Sequence, residues 1–252
     1  AEELVSVAYS FMLKGKDDSA VTVLGELESK GWTITSQQMK SMADLLSTSI
    51  RRLDHCYYFC RDMRDRGQVV PLSAVNAVIL GCSWKGALDR AFATFDDLEK
   101  VFHLVPNVGS YNSLLVACCD PDRPQASVAL ALLRQMKDQG LLPDQHTYHN
   151  LIKCLFAAGK SNQVGKVLAE MEKDGVRLSK DSYIFMGREF AKLGLMEFSD
   201  HVVDQMQSEG YSVPRYLLSR IRKIKNGVSY DNAASANITD QSKTGGPVSD
   251  QK

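Results

Sequence analysis

Apolar residues recur at spacings of three and four along most of the chain, and the pattern restarts every 35–37 residues. In successive periods a first apolar group stands at Leu4/Val7/Ala8, Met39/Met42/Ala43, Val75/Val78/Ile79, Tyr111/Leu114/Leu115, Tyr148/Leu151/Ile152 and Tyr183/Met186/Gly187. Such spacing places each group on one face of a helix. Later in the period a second stripe appears, as in Ala20/Leu24/Leu27, Ala91/Phe95/Leu98 and Ala129/Leu133/Met136. It predicts a second helix whose small residue admits a close neighbour. Glycines punctuate both helices. Gly15, Gly86, Gly159 and Gly194 end the first, and Gly31, Gly67, Gly140, Gly175 and Gly210 end the second. The late glycines are separated by 36, 73, 35 and 35 residues. The interval of 73 reads as two periods with one glycine missing near His103. Pro106 and Pro143 follow where a helix cannot continue.

Neither helix of a period can bury its stripe alone. Stacking such pairs gives a continuous core, so the pattern predicts an all-α α-solenoid of about six helix–turn–helix repeats. The repeats fall at 1–35, 36–71, 72–107, 108–144, 145–179 and 180–214, with paired antiparallel helices and no strand. Residues 215–227 read as a basic capping helix, and 228–252, rich in Ser, Asn, Asp, Gly and Gln, read as a disordered tail. The Asn237-Ile-Thr sequon in that tail is expected to be chance rather than a glycosylation site.

Composition narrows the function. Thirty Lys+Arg stand against 30 Asp+Glu in 252 residues, so any nucleic-acid binding must come from local placement of charge. No apolar run approaches the ~20 residues of a spanning helix. Val128–Leu133 is the most apolar stretch, and Arg134 closes it. The chain begins at Ala1 with no leader-like segment, as expected of a processed or truncated product. Six cysteines in helix-like contexts, with no C-x-x-C pair, predict buried thiols in a reduced compartment.

Two stretches carry a more specific pattern: PNVGSYNSLLVAC followed by LALLRQMKDQGLLPD, and PDQHTYHNLIKCLFAAGK followed by VLAEMEKDGV. The Tyr-Asn-x-Leu-Leu/Ile opening, the glycine at repeat position 15, the methionine at 27, the glycine at 31 and the Pro-Asp close resemble the pentatricopeptide repeat family. The tetratricopeptide alternative wants glycine at position 8, where this chain has Ala43, Ile79, Leu115 and Ile152. The resemblance covers 1–214 and is strongest over 72–214. It implies an organelle-targeted RNA-binding superhelix in which position 5 and the last residue of each repeat address one base. Asn followed by Asp is associated with uridine, and Asn followed by Asn with a pyrimidine, usually cytidine. Asn76/Asn107 and Asn112/Asp144 match that pattern. Val5/Thr35, Lys40/Pro71, His149/Ser179 and Ile184/Pro214 do not. The implied base readers are therefore Asn76, Asn107, Asn112 and Asp144, with Asn76 and Asn112 expected to face one concave surface. Lys192 stands at position 13, where the family often carries a phosphate-facing lysine.

Enzyme chemistry finds no support in the motifs. Phosphate-cradling glycine loops and the H-x-E with C-x-x-C pattern of zinc deaminases are absent from the sequence. His146 and His149 stand at i, i+3 without a third ligand at suitable spacing, so groove-lining or exposed histidines are expected rather than a metal site. Cys56 and Cys60 are expected to be buried. Trp84, ending a first helix, is expected to pack, with a stacking platform as the other reading. Arg215, Arg220, Arg222, Lys223 and Lys225 lie within eleven residues without an acid. They read either as a solvated end helix or as a contact to RNA backbone. The expectation is a non-enzymatic protein without cofactor or metal. Its partners would be single-stranded or ribosomal RNA and organellar proteins, with neither a membrane nor a small-molecule substrate. It would act in a mitochondrion, or alternatively a chloroplast, in RNA maturation, stability or translation. The rival expectation is a scaffold in an organellar ribosome.

Overall fold

The computed structural model describes residues 2–226. The tail at 228–252, with its sequon, and residue 227 of the capping helix lie outside the described residues. Those described form α-helices and contain no strand. In chain order the helices are α1 (Glu2–Leu13), α2 (Asp17–Ser29), α3 (Ser36–Leu46), α4 (Ile50–Asp65), α5 (Leu72–Trp84), α6 (Leu88–Lys100) and α7 (Val108–Cys118). There follow α8 (Ala126–Asp138), α9 (Gln145–Ala157), α10 (Val164–Lys173), α11 (Lys180–Lys192), α12 (Met196–Ser208) and α13 (Arg215–Lys225). They divide into two compact units, one ending at Leu178 and one beginning at Ser179.

In the first unit the odd-numbered helices pack on one another in sequence, from α1 through α3, α5 and α7 to α9. The helix after each packs on its own partner, and α4, α6 and α8 also reach the next odd-numbered helix. This is the α-solenoid that the periodicity requires. Its centre is α5, where every residue from Ser73 to Ser83 is buried. Both stripes supply the core: Ala20, Leu24, Met42, Ala43, Ile79, Leu98, Leu114, Leu115, Met136 and Leu151 are at most 1% exposed. Leu4 and Val7 depart from the expected burial, and Val7 is 42% exposed. Helix α1 packs mainly on α2 and α3, and as the first described helix it leaves part of its apolar face in solvent. In the second unit α11 packs on α12 and α13, around Ala191, Val203, Leu217 and Ile221.

Turn chemistry fixes where several of the helices start. Thr35, Asn107 and Asp144 are N-caps closed by capping boxes with Gln38, Ser110 and Thr147. Ser179 caps α11 through Ser182. Pro71 offers α5 no side-chain cap, and Glu28 substitutes for one. Its two carboxylate oxygens accept the backbone N–H groups of Leu72 and Ser73, at 2.7 and 3.0 Å. The glycine absent from the repeat pattern is replaced by His103, whose φ is +54°. It is the one non-glycine residue at positive φ among those described. The left-handed turn is thus kept where the residue best suited to it is missing.

Candidate nucleic-acid interface

The residues at position 5 stand on the odd-numbered helices, and those at the end of each repeat are the N-caps of the helices that follow. The two columns meet in space. Asn112 Nδ2 donates to Asp144 Oδ1 at 3.0 Å, and Asn76 Nδ2 donates to Asn107 Oδ1 at 3.3 Å. Each contact joins the first helix of one repeat to the cap of the next.

The Asn112–Asp144 pair is held from three sides. Asp144 Oδ1 accepts the backbone N–H of Thr147 at 2.8 Å, which is the capping bond of α9. The Thr147 hydroxyl lies 2.8 Å from Asn112 Oδ1 and 3.0 Å from Asp144 Oδ1. A hydroxyl donates once, and the shorter contact assigns its proton to Asn112. Asn112 is thereby fixed with its oxygen toward Thr147 and its nitrogen toward Asp144. One N–H and one lone pair of the amide are left over, and Asp144 Oδ2 takes part in none of these bonds. Asn112 and Asp144 are half-buried, so this remaining capacity can meet a ligand.

The other pair differs. Asn107 Oδ1 accepts the backbone N–H of Ser110 at 3.0 Å, so the atom facing Asn76 is an acceptor and Asn76 must present its nitrogen. Asn76 Oδ1 then points into a space with no donor, and the residue is 2% exposed. Asn76 and Asn112 therefore differ in exposure. Both border the depressions of one surface, but Asn112 is half-buried, whereas Asn76 on α5 is only 2% exposed. The reason is local: α5 is the most enclosed helix of the unit, and Gly109 leaves room for Asn107 to lie close across Asn76.

Two adjoining depressions mark this surface, and Ser36, Met39 and Gly109 line both. One holds Asn76, Asn107 and Trp32. The other holds Asn112, Trp84, Lys40, His146, His149 and Lys153 and is lined by no carboxylate. The histidines thus line a groove, and the described residues contain no cluster of three metal-ligating side chains. Trp84 does not pack into the core: it is 42% exposed and stands in the wall of this groove. Its signal in the sequence was its place at the very end of a first helix, where the burial stripe has run out.

The cations of the second unit are less free than their number suggests. Lys192 Nζ lies 2.8 Å from Glu189 Oε1, and Lys225 Nζ lies 2.6 Å from Asp200 Oδ2. Arg220 is half-buried. Arg215, Arg222 and Lys223 are exposed on α13. Lys192 pairs within its own helix α11, whereas the acid that meets Lys225 of α13 comes from α12, an element that a reading of α13 alone does not bring in.

Three family models match the chain. One described as a pentatricopeptide repeat-containing protein covers residues 4–98, one described as the PPR repeat family covers 106–156, and a PPR repeat covers 146–176. Among relatives, a mitochondrial pentatricopeptide repeat-containing protein of Arabidopsis thaliana is 28% identical, over 54% of this chain and 21% of its own length. A small ribosomal subunit protein of the same plant is 26% identical, over 54% of this chain and 34% of its own. The chain thus spans between about a fifth and a third of these relatives. Among solved structures, the PPR domain of Arabidopsis thaliana protein-only RNase P 1, in complex with tRNA, has a TM-score of 0.58 at 16% identity. That match covers 76% of this chain and 98% of the domain. The pentatricopeptide repeat protein PPR10 from maize has a TM-score of 0.58 at 19% identity, over 93% of this chain and 38% of its own. These likenesses establish a shared fold. Among the described residues no helix is long and apolar enough to cross a membrane.

Proposed function

Because the chain belongs to the pentatricopeptide repeat family, we propose that it binds single-stranded RNA along the groove of its first unit and acts by binding rather than catalysis. The observation that carries this reading is the Asn112–Asp144 clamp. The clamp leaves one amide donor and one amide acceptor on Asn112, which lines a groove with Lys40 and Lys153, and one carboxylate oxygen on Asp144, which bonds Asn112 but does not itself line that groove. A base edge can pair with such a set. Uridine offers N3–H to the carboxylate, whereas the N3 of cytidine is itself an acceptor and would oppose it. Asn112 and Asp144 therefore select uridine. Asn76 and Asn107 form a second clamp that reads a base only if the seam over Asn76 opens. Arg215, Arg222 and Lys223 supply a sequence-independent attraction to phosphate, with Arg220, Lys192 and Lys225 restrained by their neighbours. The relatives named as mitochondrial favour a mitochondrial setting, with the chloroplast as the alternative; the proposed task is RNA maturation, stability or translation.

Titration with short oligonucleotides tests the reading. Asn112→Ser should abolish the preference for uridine over cytidine at one position and leave the salt dependence intact. Replacing Arg215, Arg222 and Lys223 with Gln should flatten the salt slope, near −0.7 per phosphate on single strands, and leave the preference intact. Failure of the protein to bind RNA at low salt would end this reading. The second reading, a scaffold within an organellar ribosome, is favoured by zero net charge, by the covered Asn76 and by the similarity to a ribosomal subunit protein. Cosedimentation of the native protein with ribosomal subunits would support it.

A further inference from the structure

The chain has two tryptophans, and both stand in the groove rather than in the core. Trp32 is 53% exposed in the depression beside Asn76 and Asn107, and Trp84 is 42% exposed in the one beside Asn112. Large aromatic side chains normally repay their cost by burial, yet these two leave much of their surface in water. We propose that Trp84 and Trp32 are stacking platforms, each taking the face of one nucleobase of a bound single strand, with Lys40 and Lys153 beside Trp84 holding phosphates. This rests on the reading that the groove binds RNA, and it adds contacts that do not depend on base identity.

Three observations point to this occupant. The depressions adjoin, so a single strand can pass from one indole to the other. The wall around Trp84 carries Lys40, Lys153 and two histidines with no carboxylate, which suits a polyanion although the whole chain is neutral. The one carboxylate beside Trp32, Glu28, is committed through both oxygens to the backbone N–H groups of Leu72 and Ser73. Stacking on an indole suits every base, because every base has a π-face.

Because the chain has no third tryptophan, intrinsic fluorescence reports on these sites directly. Trp84→Phe leaves emission from Trp32 alone, and Trp32→Phe leaves emission from Trp84 alone. Oligouridine and oligoadenosine should both quench each variant. Trp84→Ala should weaken binding of either strand on the order of tenfold, as expected for one stacked base. Trp84→Phe should restore most of that loss, and neither variant should alter the uridine preference set at Asn112. The proposal is overturned if RNA binds without changing the emission, or if Trp84→Ala binds like the parent. In those cases an altered preference in Asn112→Ser would leave the base-reading mechanism standing. If no oligonucleotide binds at low salt, both fall. If polyglutamate quenches as strongly as RNA, the groove is a site for acidic peptides and the stacking assignment is wrong.

Discussion

Asp144 has two roles that a pair of substitutions can separate. As N-cap of α9 its Oδ1 accepts from Thr147, and the same atom accepts from Asn112. Asp144→Ala removes both bonds. Loss of such a cap costs about 1 kcal/mol. The Asn112 amide loses a partner but is half-buried and can turn to water, so the total should be about 1–2 kcal/mol. In a unit of this size that lowers the Tm by about 3–6 °C. Asp144→Asn keeps an acceptor oxygen at the cap and forfeits only the favourable charge at a helix N-terminus, about 0.5 kcal/mol. The two variants should therefore differ in stability and agree in their loss of uridine affinity. Both lose the carboxylate proposed to accept uridine N3–H, a bond to a charged group of about 1.5–3 kcal/mol, so uridine affinity should fall roughly tenfold to hundredfold. Only the Asn variant gains an amide that can pair with cytidine. Thermal unfolding and titration with oligonucleotides differing by one pyrimidine measure the two effects. Equal destabilisation by both variants would refute the capping argument. An unchanged uridine preference in both would reduce Asp144 to a cap and remove the reader.

Two further outcomes are expected. Asp174 joins α10 to α8 through Lys137 at 2.7 Å and accepts from the Tyr148 hydroxyl. Burial alone would raise its pKa, but its bonds to Lys137 and Tyr148 outweigh that and hold it below the usual carboxylate value. Its contribution is then complete above about pH 4 and is lost as pH falls through the depressed value. Asp174→Asn should cost no more than about 1 kcal/mol at pH 7, since the pair is partly exposed, and the gap to the parent in urea unfolding should shrink below about pH 4. His103→Gly should stabilise the first unit by about 0.5–1 kcal/mol, read as a rise in the urea midpoint, because glycine adopts the left-handed turn without the penalty paid by a side chain.

Much of this fold was written in the spacing of residues. The glycine columns and apolar triplets place the helices because period and turn chemistry are local properties, and even the gap at His103 could be seen as a missing glycine. What a single column cannot contain is burial from neighbouring repeats. Asn76 and Asn112 occupy the same register and carry the same amide, yet Asn76 is 2% exposed and Asn112 is half-buried. Lys192 and Lys225 looked like free cations because their acids, Glu189 and Asp200, belong to neighbouring turns and elements. Glu28 gave no sign that it caps a helix 44 residues away. Trp84 could be assigned either way until the end of α5 was seen to project into a groove.

The last residue of each repeat has a meaning that precedes base reading. At 35, 71, 107, 144, 179 and 214 it is the N-cap of the next helix. Thr35, Asn107, Asp144 and Ser179 all belong to the small set of side chains that satisfy a first-turn N–H. Folding alone therefore favours residues that look like base-reading ones, and Asn107 needs no RNA to account for it. Position 5 is the column free of that demand, and there only Asn112 combines a fixed amide, an open groove and a carboxylate partner. A single pair contributing about 1–3 kcal/mol cannot specify a sequence by analogy with bidentate readout. Association costs at least about 4 kcal/mol before any contact is counted. If the proposed RNA reading holds, affinity should come mainly from contacts indifferent to sequence, the role that reading gives to the exposed indoles, the groove lysines and the cations of α13.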